Sequence, residues 1–170
     1  MKHKTLVLMC GPAGSGKSSW VAKEQERNRG KVKSYYISRD LCRFELVNED
    51  EEYFSKEDEV FKMFVNKINE KLANKTTEVI YVDATHINET ARNKVLDKLN
   101  FIYPTDITPV AFYIPLETCL ARNAQRSGRA LVPEGAIKRM YRGYTLPTYD
   151  EKYKYKSITI VKEDGSEYER

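Results

Sequence analysis

The sequence predicts an α/β fold in which a mostly parallel central sheet is covered by helices on both faces, three layers in all. Three observations carry that expectation. Short apolar and β-branched runs alternate with helical patterns along the chain. The first run, Leu6 to Cys10, empties into a glycine-rich turn that leads into a helix. Two later runs end at or beside carboxylates, Asp40 and Asp83, as strands do where a parallel sheet presents its carboxyl ends to a ligand.

Taken in order, Leu6 to Cys10 is continuously apolar and bounded by Gly11-Pro12, the signature of a strand buried on both faces. A polar helix pattern runs from Ser18 to about Asn28 and closes at Gly30; Val32 to Ser38 is then rich in β-branched and aromatic residues and reads as a second strand. Leu41 to Val47 is helical. Beyond an acidic stretch, Phe61, Phe64, Val65, Ile68 and Leu72 share one face of a longer helix. Val79 to Asp83 is a third strand, followed by a helix with Val95 and Leu99 on its face and a fourth strand from Ile107 to Ile114. Glu117 to Arg126 is helical up to a Ser127-Gly128 break. Pro133 suits the first turn of a further helix carrying Ile137, Met140, Tyr141 and Tyr144, and Ser157 to Val161 is the last strand candidate.

At 170 residues the chain has room for one domain, since domains commonly run to about 100–200 residues; residues 1–170 are expected to form it. Hydrophobic residues at 41% and charged residues at 32% describe a soluble globular protein rather than a disordered tail, and the apolar runs fall well short of the roughly 20 residues of a membrane span. The basic start Met1-Lys2-His3-Lys4 imitates a signal peptide, but the apolar stretch behind it is shorter than the about 7–15 residues such a region needs. Cys10, Cys42 and Cys119 are odd in number and widely spaced, which suits neither a disulfide framework nor a zinc site and points to the reducing cytoplasm. A formal charge of +4 permits a polyanionic partner without requiring one.

Gly11-Pro12-Ala13-Gly14-Ser15-Gly16-Lys17-Ser18 fits G-x-x-x-x-G-K-S/T at every fixed position and sits between a strand and a helix. In such a phosphate-binding loop, backbone N–H groups curl around the β-phosphate, the lysine reaches the β and γ oxygens, and the hydroxyl holds Mg²⁺. The fold class narrows to that of a P-loop kinase, with an arginine-bearing helical lid at about 122–133. Gly11, Pro12, Ala13, Gly14, Ser15, Gly16, Lys17, Ser18 and Ser19, with Arg122 and Arg126 from the lid, form the expected ATP site.

Phosphoryl transfer to an alcohol requires a carboxylate beside the attacking hydroxyl and cations around the transferred group. Asp40 is the candidate base and Arg43, three residues on, shares its helix face; capping of the helix is the alternative for Asp40. Asp83 closes its strand like a Walker-B carboxylate, placed to hold a Mg²⁺-bound water together with Ser18 or to orient Arg43, with a turn role as the alternative. His86 reads as a loop residue. Arg122 and Arg126 lie at i and i+4, with Arg129 past the hinge, so the lid can close over the donor phosphates. Glu49 to Glu59 holds seven acids and one Lys (net −6), whereas Arg122 to Arg142 holds six Lys/Arg and one Glu (net +5). The acidic run is expected to be a solvated outer loop. Tyr149, Tyr153 and Tyr155, interleaved with Lys152, Lys154 and Lys156, suit either an edge strand or stacking on bases.

These residues resemble the kinase domain of phage-type polynucleotide 5'-hydroxyl kinases. The match runs in order through Gly11 to Trp20, Ile37-Ser38-Arg39-Asp40 with Arg43, the strand ending in Asp83, Arg122-Asn123 and Arg126, Val132-Pro133 and Met140-Tyr141, from Leu6 to about Tyr149. The resemblance implies ATP and Mg²⁺ on Lys17 and Ser18, Asp40 as general base toward a 5'-hydroxyl of DNA or RNA, Arg43 on the phosphate next to the acceptor nucleotide, and Arg122 and Arg126 on the donor phosphates. Catalysis would fall to Asp40, Lys17 and Arg126, and acceptor binding to Asp40, Arg43 and Asp83. No D-x-D-G-T/S phosphatase signature is present, so end repair would stop at phosphorylation. Two alternatives stand beside this: a P-loop kinase for a nucleoside, sugar or antibiotic, and a non-catalytic nucleotide-binding regulator.

Overall fold

A computed structural model describes residues 3–170; the basic head at Met1-Lys2 lies outside them. Six strands form one sheet in the order β2-β3-β1-β4-β5-β6. In chain order the elements are β1 (Lys4–Cys10), α1 (Lys17–Arg27), β2 (Ser34–Ser38), α2 (Arg39–Leu46), α3 (Glu57–Leu72), β3 (Val79–Asp83), α4 (Glu89–Leu96), β4 (Thr105–Tyr113), α5 (Leu116–Ala124), α6 (Glu134–Gly143), β5 (Thr159–Lys162) and β6 (Glu167–Glu169). β1 to β5 pair in parallel and β6 returns antiparallel along β5. The mostly parallel α/β architecture expected from the sequence is what the chain forms.

Side chains alternate across a strand, and β1 shows why its sequence is apolar throughout. Leu6, Leu8 and Cys10 enter a core shared with α3 and α4. Val7 and Met9 enter the opposite core with Val21, Cys119 and Ile137 of α1, α5 and α6. The parallel pairing places Met9 beside Asp83, and Asp83 beside Ser38. Three strand ends therefore stop at one level, and the loops that follow them share one crevice.

Several elements differ from their sequence expectations. Val32 is exposed and β2 begins at Ser34. In α3, Val60 is fully buried while Phe61 only packs against the core edge. Pro133 stands just before the first residue of α6, and α4 ends at Leu96, leaving buried Leu99 in the turn beyond. β6 has no sequence signal strong enough to find it: all three of its residues are exposed. The Tyr/Lys segment is not an edge strand. Its phenols tie the chain down instead, Tyr155 donating to Glu151 (3.0 Å), Tyr153 to Asp97 (2.5 Å), and Tyr149 accepting from the Ile158 amide (3.0 Å). No helix among the described residues is long and apolar enough to cross a membrane.

The largest fully buried side chain is charged. Arg92 of α4 donates to both Glu151 oxygens (2.9 and 2.8 Å) and to the carbonyls of His86 (2.9 Å) and Thr145 (3.1 Å). It thereby fastens the segment after α6 to the β3–α4 loop. Burial alone would raise the pKa of Glu151, but hydrogen bonds from Arg92 and the Thr148 amide outweigh it and hold the carboxyl below its ordinary 4.5. A depressed carboxyl pKa adds stability above the unfolded-state value and loses it as pH falls through the folded one. Arg92→Met strands a buried carboxylate and is expected to cost about 3–5 kcal/mol in urea unfolding at neutral pH. The deficit relative to wild type should shrink as pH falls through the depressed folded-state pKa of Glu151, where the stabilisation from its ion pair is lost.

Candidate active site

The loop after β1 wraps back on itself as the motif requires. Gly14 and Gly16 hold φ of +82° and +98°, a left-handed region that costs other residues dearly. At Gly14 the loop also presses against α5: a Cβ there would stand 2.4 Å from the Cys119 carbonyl oxygen. The Gly11 amide donates to the Thr85 carbonyl (2.8 Å), which anchors the loop to the end of β3. Lys17 folds its ammonium over the loop, donating to the carbonyls of Gly11 (2.8 Å) and Pro12 (3.0 Å). Burial lowers its pKa, with the nearby Asp83 and Asp40 carboxylates opposing that shift.

Ser18, Lys17, Asp40, Asp83 and Arg126 line one cleft of about 340 Å³ between this loop and the lid. Asp83 is nearly buried and accepts a hydrogen bond from the Tyr36 phenol of β2. Burial raises its pKa, and the Lys17 ammonium and the Tyr36 hydroxyl work against that. A serine hydroxyl and a strand-end carboxylate facing one cavity are hard oxygen donors, and they fit Mg²⁺, which takes one or two protein ligands and keeps its remaining waters.

On α2 the capping question resolves by geometry. The Ser38 hydroxyl accepts from the Leu41 amide (3.3 Å), which leaves Asp40 free of that duty. Asp40 Oδ1 accepts from Arg43 Nη1 and from the Tyr53 phenol (3.1 Å), while Oδ2 has no hydrogen-bond partner among the described residues. Asp40 lines the phosphate cleft and also a second cavity of about 280 Å³, walled by Arg39, Arg43, Tyr53, Phe54, Glu57 and Met140 among others.

Arg43 is not oriented by Asp83, as the sequence allowed. It is buried and held by Glu57 in a two-pronged contact, Nε to Oε1 at 2.8 Å and Nη2 to Oε2 at 3.0 Å. The rings of Tyr53 and Phe54 cover it at 4.7 and 5.4 Å. Those three partners belong to the acidic run expected to be an outer loop. A run of acids gives no sign of which member turns inward; the clue present in the sequence was the Tyr53-Phe54 pair, too apolar for a fully solvated loop.

The lid is fastened at both ends. Asn123 and Val132 exchange two hydrogen bonds, Nδ2 to carbonyl at 2.8 Å and amide to Oδ1 at 3.0 Å, which closes the base of segment 122–133. Arg122 reaches the Ser15 carbonyl of the loop (3.1 Å). Arg129 does not point to the phosphate cleft: its guanidinium donates to the Phe44 and Val47 carbonyls at the end of α2 and lies over the Phe44 ring (5.1 Å). His86 is a loop residue, as expected, buried with a φ of +40°; its Nδ1 bonds to the Met9 carbonyl (2.5 Å), and burial pushes its pKa down to about 3.

Fold and site together define a P-loop kinase architecture. Residues 6–147 match the family model described as an AAA domain, AAA_33, and the chain belongs to that family. No curated protein matches it in sequence. Solved structures share the fold at low identity. Kti12 from Chaetomium thermophilum, in complex with ADP-AlF3, superposes with a TM-score of 0.65 at 14% identity over 95% of this chain and 90% of its own. A fungal RNA kinase gives 0.62 at 10% identity (95% and 75%). A gluconokinase from Sinorhizobium meliloti 1021 gives 0.56 at 15% identity (95% and 84%).

Gly14→Ala, which combines a left-handed φ with a collision on backbone, is expected to weaken ATP binding by more than tenfold, measured by titration calorimetry. Gly30→Ala shares the positive φ (+77°) but meets nothing within 4 Å, and it should leave that affinity unchanged.

Proposed function

We propose that this protein transfers the γ-phosphate of ATP to the 5'-hydroxyl of DNA or RNA, a step of nucleic-acid end repair. The observation that carries the transfer is the position of Asp40, which borders the phosphate cleft on one side and the second cavity on the other, with one carboxylate oxygen pinned and the other free. A hydroxyl seated in the second cavity meets Oδ2. As its oxygen bonds to the γ-phosphorus and the bond to the ADP oxygen breaks, its proton passes to Oδ2; an ordinary carboxylate suffices because the alcohol becomes acidic as the bond forms. Lys17 and Arg126 face the cleft where charge develops on the phosphoryl oxygens, and Arg122, on the loop backbone, borders the donor side. Ser18 and Asp83 would hold Mg²⁺, which when bound neutralises charge on the β and γ oxygens.

The polynucleotide acceptor is supported by the order and spacing of Asp40-x-x-Arg43 and the arginine lid. A small-molecule acceptor is the second reading, favoured by the modest cavity and by Glu57, which occupies the arginine assigned to the acceptor phosphate. The decisive measurement is incubation with γ-labelled ATP and a panel of 5'-OH DNA, 5'-OH RNA, 3'-nucleotides, nucleosides and sugars. Label is expected on the oligonucleotides; transfer to sugars alone would establish the second reading. Asp40→Asn, which cannot take up a proton, should lower turnover about 10²–10⁴-fold while ATP still binds. Full function in that variant would instead mark a regulator that binds nucleotide without transferring phosphate.

A further inference from the structure

We propose that Arg39, rather than Arg43, binds the phosphate of the acceptor and so sets a preference for phosphate-bearing alcohols. The inference rests on the kinase reading above and deepens it. Arg43 has little left to offer a ligand. Its Nε and Nη2 are spent on Glu57, its Nη1 on Asp40 and Tyr53, two aromatic rings cover it, and its side chain is only 7% exposed. Freeing it would separate a buried guanidinium from the carboxylates that pair it, which is costly.

Arg39 lines the same cavity in the opposite condition. Its side chain is 26% exposed and makes one hydrogen bond, Nη2 to Glu57 Oε2 at 3.1 Å. Its Nε is buried without a partner, and its Nη1 is bonded to nothing among the described residues. The guanidinium rests on the Phe61 ring at 5.5 Å, and Lys94 approaches that ring at 4.8 Å. Glu57 thus satisfies Arg43 with both oxygens and shares only one of them with Arg39. An arginine with unmet donors on the wall of a cavity is suited to a phosphate, whose oxygens accept the planar fork in pairs. Because Arg39 and Asp40 line the same cavity, such a phosphate shares that cavity with the reacting hydroxyl. A nucleoside 3'-phosphate, or the first linkage of a strand, supplies both groups; a nucleoside or a neutral sugar supplies only the hydroxyl.

The test compares wild type, Arg39→Met, Arg39→Lys and Arg43→Lys on three acceptors: a nucleoside, its 3'-phosphate and a 5'-OH tetranucleotide. The readout is the ratio of kcat/KM for each phosphate-bearing acceptor to that for the nucleoside. Wild type is expected to favour the phosphate-bearing acceptors. Arg39→Met should cut that advantage tenfold or more. Arg39→Lys, which keeps the charge and the apolar stem on Phe61 but loses the fork, should fall between. Arg43→Lys should slow all three acceptors together and preserve the ratio. An advantage kept in both Arg39 variants, or lost in Arg43→Lys instead, overturns the assignment while leaving the polynucleotide reading intact. Equal use of all three acceptors by wild type removes that reading and the Arg39 assignment with it.

Discussion

The structure depends on the register of three parallel strands. Met9, Asp83 and Ser38 stand side by side, so the loop that cradles phosphate, the carboxylate suited to a metal, and the helix bearing Asp40 all begin at one height. A slip of one residue in β3 would turn Asp83 to the other face and carry it away from Ser18 and Lys17. Burial holds β1 from both sides, with Leu6 and Leu8 in one core and Val7 and Met9 in the other.

Charge is distributed around that fixed frame with opposite signs close together. Arg126 lines one cleft and Glu57 lines the neighbouring cavity with Arg39 and Arg43, while Lys17, Asp40 and Asp83 border both. Glu57 is central to the second arrangement. It removes Arg43 from solvent, and Arg43 in turn fixes one oxygen of Asp40. Precision at Asp40 is thus obtained from a residue that would otherwise be an open cation, while the neighbouring Arg39 is the arginine that Glu57 satisfies least.

Much of this was legible in the sequence, for definite reasons. Leu6 to Cys10 and Val79 to Asp83 declare themselves because strands buried on both faces need unbroken apolar runs, and the glycines of the loop announce backbone angles that other residues avoid. Asp40 and Arg43 were found because a helix places i and i+3 together. What escaped notice was long-range pairing between charged residues. Nothing local marks Glu57 among its acidic neighbours as the partner of Arg43, or Glu151 as the partner of Arg92, fifty-nine positions away. Arg129 was misplaced for a related reason: three arginines in a lid look alike until the fold shows which one reaches a helix end. β6 was missed because an exposed edge of three residues carries no burial pattern.

The reach of Arg129 makes the lid something more than a cover. The last carbonyls of a helix lack intrahelical donors, and at α2 two of them, on Phe44 and Val47, are satisfied by a side chain from across the cleft. α2 therefore borrows its C-terminal cap from segment 122–133, which is itself tied at its base by Asn123 and Val132. Without the Arg129 guanidinium those carbonyls would have to turn to water, at the end of the helix that also holds Arg39, Asp40 and Arg43. The two walls of the cleft, segment 122–133 and α2, are thereby joined at one helix end.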